Sequence, residues 1–157
     1  MAKALTTMSM QTSSPAPGAK KILVIDDNQV ILKAMSLALT SKGYRVFTAE
    51  TGAETITVLR HEKPDLILLD LAFPVDSADL GGPFHDGFII IDWARRVCDA
   101  ENIPVIILSS LDPEEYKERA RKAGILTFFR KPVDNHKLLE AIQTMLIQVP
   151  KATPQRA

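Results

Sequence analysis

The sequence predicts an α/β fold in which helices cover both faces of a parallel β-sheet. Short segments rich in branched or aromatic residues alternate five times with amphipathic segments from Lys20 onward. Three of the short segments are unbroken apolar runs, which are typical of strands buried on both faces. This alternation predicts one α/β domain, and right-handed crossovers then restrict its topology.

The five predicted strands differ in polarity. Apolar runs at 22–25, 66–69 and 105–108 are too short for helices and are rich in Ile, Leu and Val, so they predict three buried strands. Segments of mixed polarity at 45–49 and 126–129 predict strands nearer the edges of the sheet.

The first helix is predicted from the spacing of its apolar residues. Ile31, Ala34, Met35 and Ala38 fall on one helical face, and Gly43 is expected to end the helix.

The second and third helices are predicted from different signals. A capping box at Thr51–Glu54 begins the second helix, which must end before Pro64. The apolar run at 88–91 alone resembles a strand. The apolar spacing up to Val97 and the strand-helix alternation instead predict a helix over 88–98.

The last two helices are predicted from residues at their ends. Asp112 is an N-cap followed by Pro113 in the first turn, and Gly124 ends the fourth helix. Asp134 caps the fifth helix, whose apolar stripe begins at Leu138.

Length and composition limit the classes of function. The chain has 157 residues, so we expect a flexible tail at 1–19, one folded domain at 20–149 and a flexible tail at 150–157. Lys plus Arg and Asp plus Glu both total 19, so no net positive charge attracts nucleic acid or anionic lipid. Cys98 is alone, and no apolar run is long enough to span a membrane. A cytoplasmic protein without a direct nucleic-acid or membrane partner is predicted.

Charged and hydroxyl residues stand at the predicted carboxyl ends of four strands, where open parallel sheets bind ligands. Asp26 and Asp27 end the first strand, Asp70 the third and Ser109 the fourth, and Lys131 follows the fifth. Each alone has an ordinary explanation as a cap, a turn residue or a surface charge. Brought to one edge, three carboxylates and one ammonium leave two uncompensated negative charges. Oxygen ligands without His or Cys favour Mg²⁺ there.

Four motifs at these positions resemble those of response-regulator receiver domains of two-component signalling. They are Val24–Asn28, Leu66–Asp70, Pro104–Ser109 and Lys131–Pro132, and the resemblance extends over residues 20–149. It implies a flavodoxin-like (βα)₅ fold, a doubly wound parallel sheet with strand order 2-1-3-4-5.

The resemblance also implies a role for each acidic residue. Asp70 matches the phosphoacceptor, which takes a phosphoryl group from a phosphohistidine donor. Asp27 would bind Mg²⁺ directly and Asp26 mainly through water, with Asp70 and the backbone carbonyl of Ala72 completing the protein ligands.

Three further residues match the phosphoryl-binding and switch positions of the family. Ser109 matches the switch hydroxyl, Lys131 would pair with Asp70 and then with the phosphoryl group, and Phe128 matches the aromatic switch residue. The family's Lys-Pro bond is typically cis, so Lys131–Pro132 is expected to be cis.

The sequence departs from the family pattern after Asp70. Gly87 follows Asp70 by seventeen positions where the family has eight, so an insertion of about nine residues is expected within 75–86. We interpret it either as a flap over the phosphorylated residue or as a solvated surface loop. In the family, the side chains two positions after the phosphoacceptor and two after the switch hydroxyl influence access of the attacking water. Here these are Ala72 and Leu111, neither of which can orient water, so the resemblance implies slow self-dephosphorylation.

These observations predict a signalling switch and not an enzyme, phosphorylated by a sensor histidine kinase or a histidine phosphotransfer protein. Because few residues follow the predicted domain, we expect output through noncovalent partners, either a homodimer or a separate target. Tyr116, Lys117, Arg121 and Lys137 are expected to be exposed on the face formed by the fourth and fifth helices and the fifth strand. A phosphorylation-independent adaptor and a phosphohydrolase with an aspartyl nucleophile remain the alternatives.

Overall fold

The computed structural model describes residues 14–72, 74–75, 84–85, 87–98, 100 and 102–148. Its strands are β1 Lys21–Ile25, β2 Arg45–Ala49, β3 Leu66–Asp70, β4 Pro74–Val75, β5 Phe84–His85, β6 Val105–Ser109 and β7 Thr127–Arg130. Its helices are α1 Gln29–Thr40, α2 Gly52–Glu62, α3 Gly87–Val97, α4 Pro113–Lys122 and α5 Asn135–Gln148. The five strands and five helices predicted from the sequence are all present. Most of the predicted tails and the interior of the insertion lie outside the described residues.

The five long strands form one parallel sheet in the order β2-β1-β3-β6-β7. Counted without the short strands β4 and β5, this is the order 2-1-3-4-5, so the predicted flavodoxin-like fold is confirmed. β2 and β7 lie at the edges, and their side chains are less buried than those of the central strands. Residues at the carboxyl ends of β1, β3 and β6 therefore meet near the middle of one sheet edge.

Both faces of the sheet are packed, which explains the unbroken apolar runs. Along β1, Leu23 and Ile25 pack with α2, α3 and α4, while Ile22 and Val24 pack with α1 and α5. All four side chains are at most 2% exposed. Burying one such Leu, Ile or Val side chain fully contributes about 1.5–3 kcal/mol, so the central strands are firmly held. No helix within the described ranges has the length and apolar content needed to cross a membrane.

The buried face of α1 differs from the prediction by one position. Leu32 and Leu39 are buried, with Met35 partly buried between them, whereas Ala34 is exposed. The helix is apolar on several sides, so the spacing of its apolar residues fits more than one face. Val30 and Leu37 remain 77% and 66% exposed on the opposite side.

The insertion after β3 begins and ends in a two-stranded antiparallel hairpin that was not predicted. β4 pairs with β5, with Pro74 opposite His85 and Val75 opposite Phe84. This pairing returns the chain to α3, and the Gly87 amide donates a hydrogen bond to the Leu71 carbonyl at 3.0 Å. The two ends of the insertion are therefore adjacent in space. The flap interpretation concerns the residues between these strands, which lie outside the described part of the chain.

Candidate functional site

The side chain of Asp26 lies at the carboxyl end of β1 and is held from two directions. Its Oδ1 accepts a hydrogen bond from the Asn28 amide at 2.9 Å, and its Oδ2 lies 3.0 Å from Lys131 Nζ. Asn28 also caps α1 by accepting hydrogen bonds from the amides of Val30 and Ile31. The turn from β1 into α1 thus fixes the Asp26 carboxylate at the sheet edge, where the residue is 3% exposed.

Asp70 ends the central strand β3 and is equally enclosed, with 6% of the residue exposed. Its Oδ1 accepts a hydrogen bond from the Ala72 amide at 3.1 Å, and its Oδ2 lies 3.4 Å from Lys131 Nζ. Burial raises the pKa of the Asp70 carboxyl, and the negative charge of Asp26 adds to the rise. The Lys131 ammonium and the Ala72 amide act in the opposite direction without overcoming burial.

Lys131 extends from the end of β7 and places its ammonium between two carboxylates. Burial acts to lower its pKa, but the hydrogen bond to Asp26 and the charges of Asp70 and Asp26 outweigh burial, so the pKa is raised. The Lys131 amide donates to the Ser109 carbonyl at 2.8 Å, and the Lys131–Pro132 peptide bond is cis. Lys131 lies closer to Asp26 than to Asp70, a preference that the sequence did not indicate.

Three carboxylates meet at this edge with oxygen atoms within 4.8 Å of one another. They belong to Asp26, Asp27 and Asp70, of which Asp27 is exposed. With Lys131 as the ammonium in contact, two negative charges remain uncompensated among these four side chains. An all-oxygen cluster with one solvent-facing carboxylate has the donor chemistry that Mg²⁺ prefers, because Mg²⁺ retains several waters. The residues present therefore fit this cation.

Ser109 lies at the end of β6, beside β3, and is fully buried. Its Oγ accepts a hydrogen bond from the Leu111 amide at 3.1 Å. This bond ties the hydroxyl to the segment that leads into α4. The hydroxyl therefore connects the acidic edge of the sheet to a neighbouring helix.

Gly87, the first residue of α3, packs against the backbone of the candidate phosphoacceptor. A Cβ atom at Gly87 would lie 2.9 Å from the Asp70 carbonyl oxygen and 3.1 Å from Leu71 Cα. Both are closer than an ordinary van der Waals contact of 3.4–4 Å. A residue with a side chain would push against the strand end that carries Asp70.

The predicted switch aromatic, Phe128, lies in β7 and is half-buried. Its ring packs edge-to-face with that of Tyr116 in α4, with centroids 5.6 Å apart and planes at 80°. The prediction that Tyr116 is exposed is wrong, because the residue is 5% exposed and belongs to the core. Lys117, Arg121 and Lys137 are exposed as expected, and so are Ala72 and Leu111 beside the acidic edge.

Comparison with known proteins gives one family. The family model "Response regulator receiver domain" matches residues 22–143. The chain is 37% identical over 135 residues to the transcriptional regulatory protein GlrR of Escherichia coli K12, covering 86% of this chain and 28% of that protein. It is 31% identical over 127 residues to sporulation initiation phosphotransferase F of Bacillus subtilis, covering 81% of this chain and 94% of that protein.

Solved structures show the same architecture. A CheY-like response regulator receiver domain protein from Methanospirillum hungatei superposes with a TM-score of 0.72 at 26% identity, covering 86% of this chain and 99% of that chain. The receiver domain of the sensor histidine kinase PA1611 from Pseudomonas aeruginosa has a TM-score of 0.67 at 23% identity, covering 83% of this chain and 99% of that chain. That second structure holds a magnesium ion in its active-site cleft.

Proposed function

Because the chain belongs to the response regulator receiver domain family, we propose that it accepts a phosphoryl group on Asp70 from a phosphohistidine donor in a Mg²⁺-dependent reaction. The observation that carries this proposal is the shared ammonium of Lys131, which lies 3.0 Å from Asp26 and 3.4 Å from Asp70. It places fixed positive charge beside a buried carboxylate at the edge of the sheet where ligands bind.

The transfer requires little covalent chemistry from the protein. One carboxylate oxygen of Asp70 forms a bond to phosphorus while the phosphorus–nitrogen bond of the donor breaks, and the imidazole leaves with the electron pair. Catalysis then depends on positioning and on stabilising charge at the equatorial oxygens. Bound Mg²⁺, held by Asp26, Asp27, Asp70 and the Ala72 carbonyl, would supply part of that positive charge. Lys131 supplies the rest from the protein.

The structure supports a route from this reaction to the surface. The phosphorylated Asp70 carries nearly two negative charges and new acceptor oxygens. The Ser109 hydroxyl can donate to one of them, and on turning it gives up the hydrogen bond from the Leu111 amide. Phe128 contacts Tyr116 of α4, the helix that follows this segment. We propose that these residues convert the charge change into a changed surface on α4 and β7.

An exposed apolar surface lies on α1, next to the acidic edge. α1 begins three residues after Asp26 and exposes the apolar side chains of Val30 and Leu37. An exposed apolar stripe on a helix that starts at the site edge suits docking of a partner helix. We propose that the donor, a sensor kinase or a phosphotransfer protein, contacts this stripe.

The test is phosphorylation by a small acyl phosphate. Wild-type protein, Asp70→Asn and the matched variant Asp92→Asn, whose aspartate is exposed on α3, are incubated with Mg²⁺ and acetyl phosphate. We expect the intact mass to rise by one phosphoryl group in the wild type and in Asp92→Asn, and not in Asp70→Asn. Omission of Mg²⁺ should abolish the gain.

Two results would contradict the proposal in different ways. Absence of any mass gain in the wild type would favour a phosphorylation-independent adaptor. Continuous release of phosphate without accumulation of phosphoprotein would favour a phosphohydrolase.

A further inference from the structure

Tyr116 combines deep burial with an unsatisfied hydroxyl. The residue is 5% exposed and packs in the core beside Ala120 and Ile125. Among the residues that the structure describes, its hydroxyl is the one buried side-chain oxygen or nitrogen without a hydrogen-bond partner. A buried hydroxyl that has lost water and gained no partner costs free energy, which a phenylalanine at the same position would avoid. The hydroxyl therefore has no stabilising role in this conformation.

Tyr116 lies near the start of α4, a few residues after the segment that joins Ser109 to the helix. Side chains on a helix lean toward its N-terminus, so Tyr116 lies over the turn that begins at Asp112. The pKa of the Tyr116 hydroxyl agrees with this position: burial raises it first, the charge of Asp112 raises it further, and Arg130 lowers it. The two charged groups that act on the hydroxyl thus belong to the start of α4 and the end of β7.

The same segment is held by the candidate switch hydroxyl. The Leu111 amide donates to Ser109 Oγ at 3.1 Å, so residues 110–112 are tied to the end of β6. When Ser109 turns to a phosphoryl group on Asp70, this bond is lost and the segment can move. Its backbone carbonyls could then accept a hydrogen bond from the unpaired Tyr116 hydroxyl.

We propose that Tyr116 is a readout residue of the switch, whose hydroxyl donates a hydrogen bond to a backbone carbonyl of residues 110–112 when Asp70 is phosphorylated. The bond would stabilise the phosphorylated arrangement of α4 relative to the unphosphorylated one. Because the rings of Tyr116 and Phe128 pack edge-to-face, the new hydrogen bond would also change the packing around the Phe128 ring. This inference rests on the proposed phosphorylation of Asp70.

Tyr116→Phe tests it, because the substitution removes the hydroxyl and keeps the ring. The chain has two tyrosines, and Tyr44→Phe is the matched control, since Tyr44 packs on the opposite face of the sheet. Beryllofluoride with Mg²⁺ serves as the phosphoryl mimic. Its dissociation constant is obtained from the melting temperature as a function of its concentration, because a ligand that binds the folded state stabilises that state.

We expect beryllofluoride to bind Tyr116→Phe roughly two- to tenfold more weakly than the wild type, the equivalent of one net hydrogen bond. Tyr44→Phe should bind it like the wild type. Without beryllofluoride, Tyr116→Phe should melt at or above the wild-type temperature, because an unpaired buried hydroxyl has been removed.

Three results would count against the proposals, and they differ from one another. Equal affinity of Tyr116→Phe and wild type would overturn the role of Tyr116 alone. A lower melting temperature of free Tyr116→Phe would show that the hydroxyl already has a partner, which also overturns it. Failure of the wild type to bind beryllofluoride would instead remove the proposed function on which this inference rests.

Discussion

Gly87→Ala should damage both the stability of the domain and the chemistry of Asp70. The new Cβ would lie 2.9 Å from the Asp70 carbonyl oxygen, about 0.5 Å inside the shortest ordinary contact of 3.4 Å. The obstacle is backbone on a central strand, which cannot rotate away as a side chain can. Either α3 or the end of β3 must therefore move by several tenths of an ångström.

The size of the effect follows from this overlap. Overpacking a well-packed site costs about 1–3 kcal/mol, which lowers the melting temperature of a domain of this size by roughly 3–12 °C. A displacement of about 1 Å at a reacting group can slow a reaction about a hundredfold, so about half that displacement should slow phosphorylation by roughly tenfold. The assays are thermal unfolding and the initial rate of phosphorylation by acetyl phosphate with Mg²⁺.

Gly52→Ala is the matched control, because Gly52 is the first residue of α2 as Gly87 is of α3. Its new Cβ would meet a side-chain atom and not backbone, the terminal methyl of Ile90 at 3.3 Å. Both variants exchange glycine for alanine at the start of a helix, so they share any difference in helix propensity. Equal stability and equal rates in the two variants would refute the reasoning. A loss of stability at Gly87 with an unchanged rate would show that α3 absorbs the displacement and Asp70 stays in place.

Three further predictions concern the surroundings of the site. Leu37→Asp should slow transfer from a phosphorylated histidine phosphotransfer protein by about tenfold without changing the acetyl phosphate reaction. Ile147→Asp, at another exposed apolar position, on α5, should change neither rate. A slower acetyl phosphate reaction in Leu37→Asp would contradict a docking role. Ala72→Asn, which adds an amide able to orient water, should shorten the lifetime of the phosphoprotein by about tenfold, whereas the same change at exposed Ala53 should leave the lifetime unaltered. Without divalent cations at pH 7, Asp70→Asn should melt roughly 2–5 °C above the wild type. The folded-state pKa of Asp70 is raised, so ionisation of Asp70 destabilises the fold at pH values above the ordinary aspartate pKa. In acid, Asp70 is protonated in both the folded and the unfolded state, and the difference in melting temperature should vanish. A difference that persists in acid would have another cause.

The sequence predicted the sheet well because its central strands are apolar on both faces, a pattern that few other structures share. It predicted the face of α1 less well, since the residues 29–40 are apolar on several sides and periodicity alone does not select Leu32 and Leu39. It also missed the burial of Tyr116. α4 is otherwise strongly charged, and its buried residues are Tyr116 and Ala120. Because a helix that packs on a sheet must bury some of its side chains, the few side chains of α4 without charge could have been predicted to face the core.

The grouping of Asp26, Asp27, Asp70 and Lys131 could be anticipated from the sequence, because parallel strands bring their carboxyl ends to one edge whatever the connecting helices contain. Its internal pairing could not. Whether Lys131 lies nearer Asp26 or Asp70 depends on differences of tenths of an ångström in the stagger of β1, β3 and β7. The β4–β5 hairpin escaped detection because strands of two residues are too short to show a periodic signal.

The β4–β5 hairpin allows residues that are far apart in the sequence to lie next to each other in the structure. Because β4 and β5 close on each other, Gly87 reaches the Asp70 backbone although seventeen positions separate the two residues. The residues on either side of the hairpin are therefore held together whatever the number of residues between its strands. For protein engineering, the stem is a natural attachment point for a foreign peptide. For motif searches, a fixed spacing between the aspartate and the glycine would overlook chains built this way.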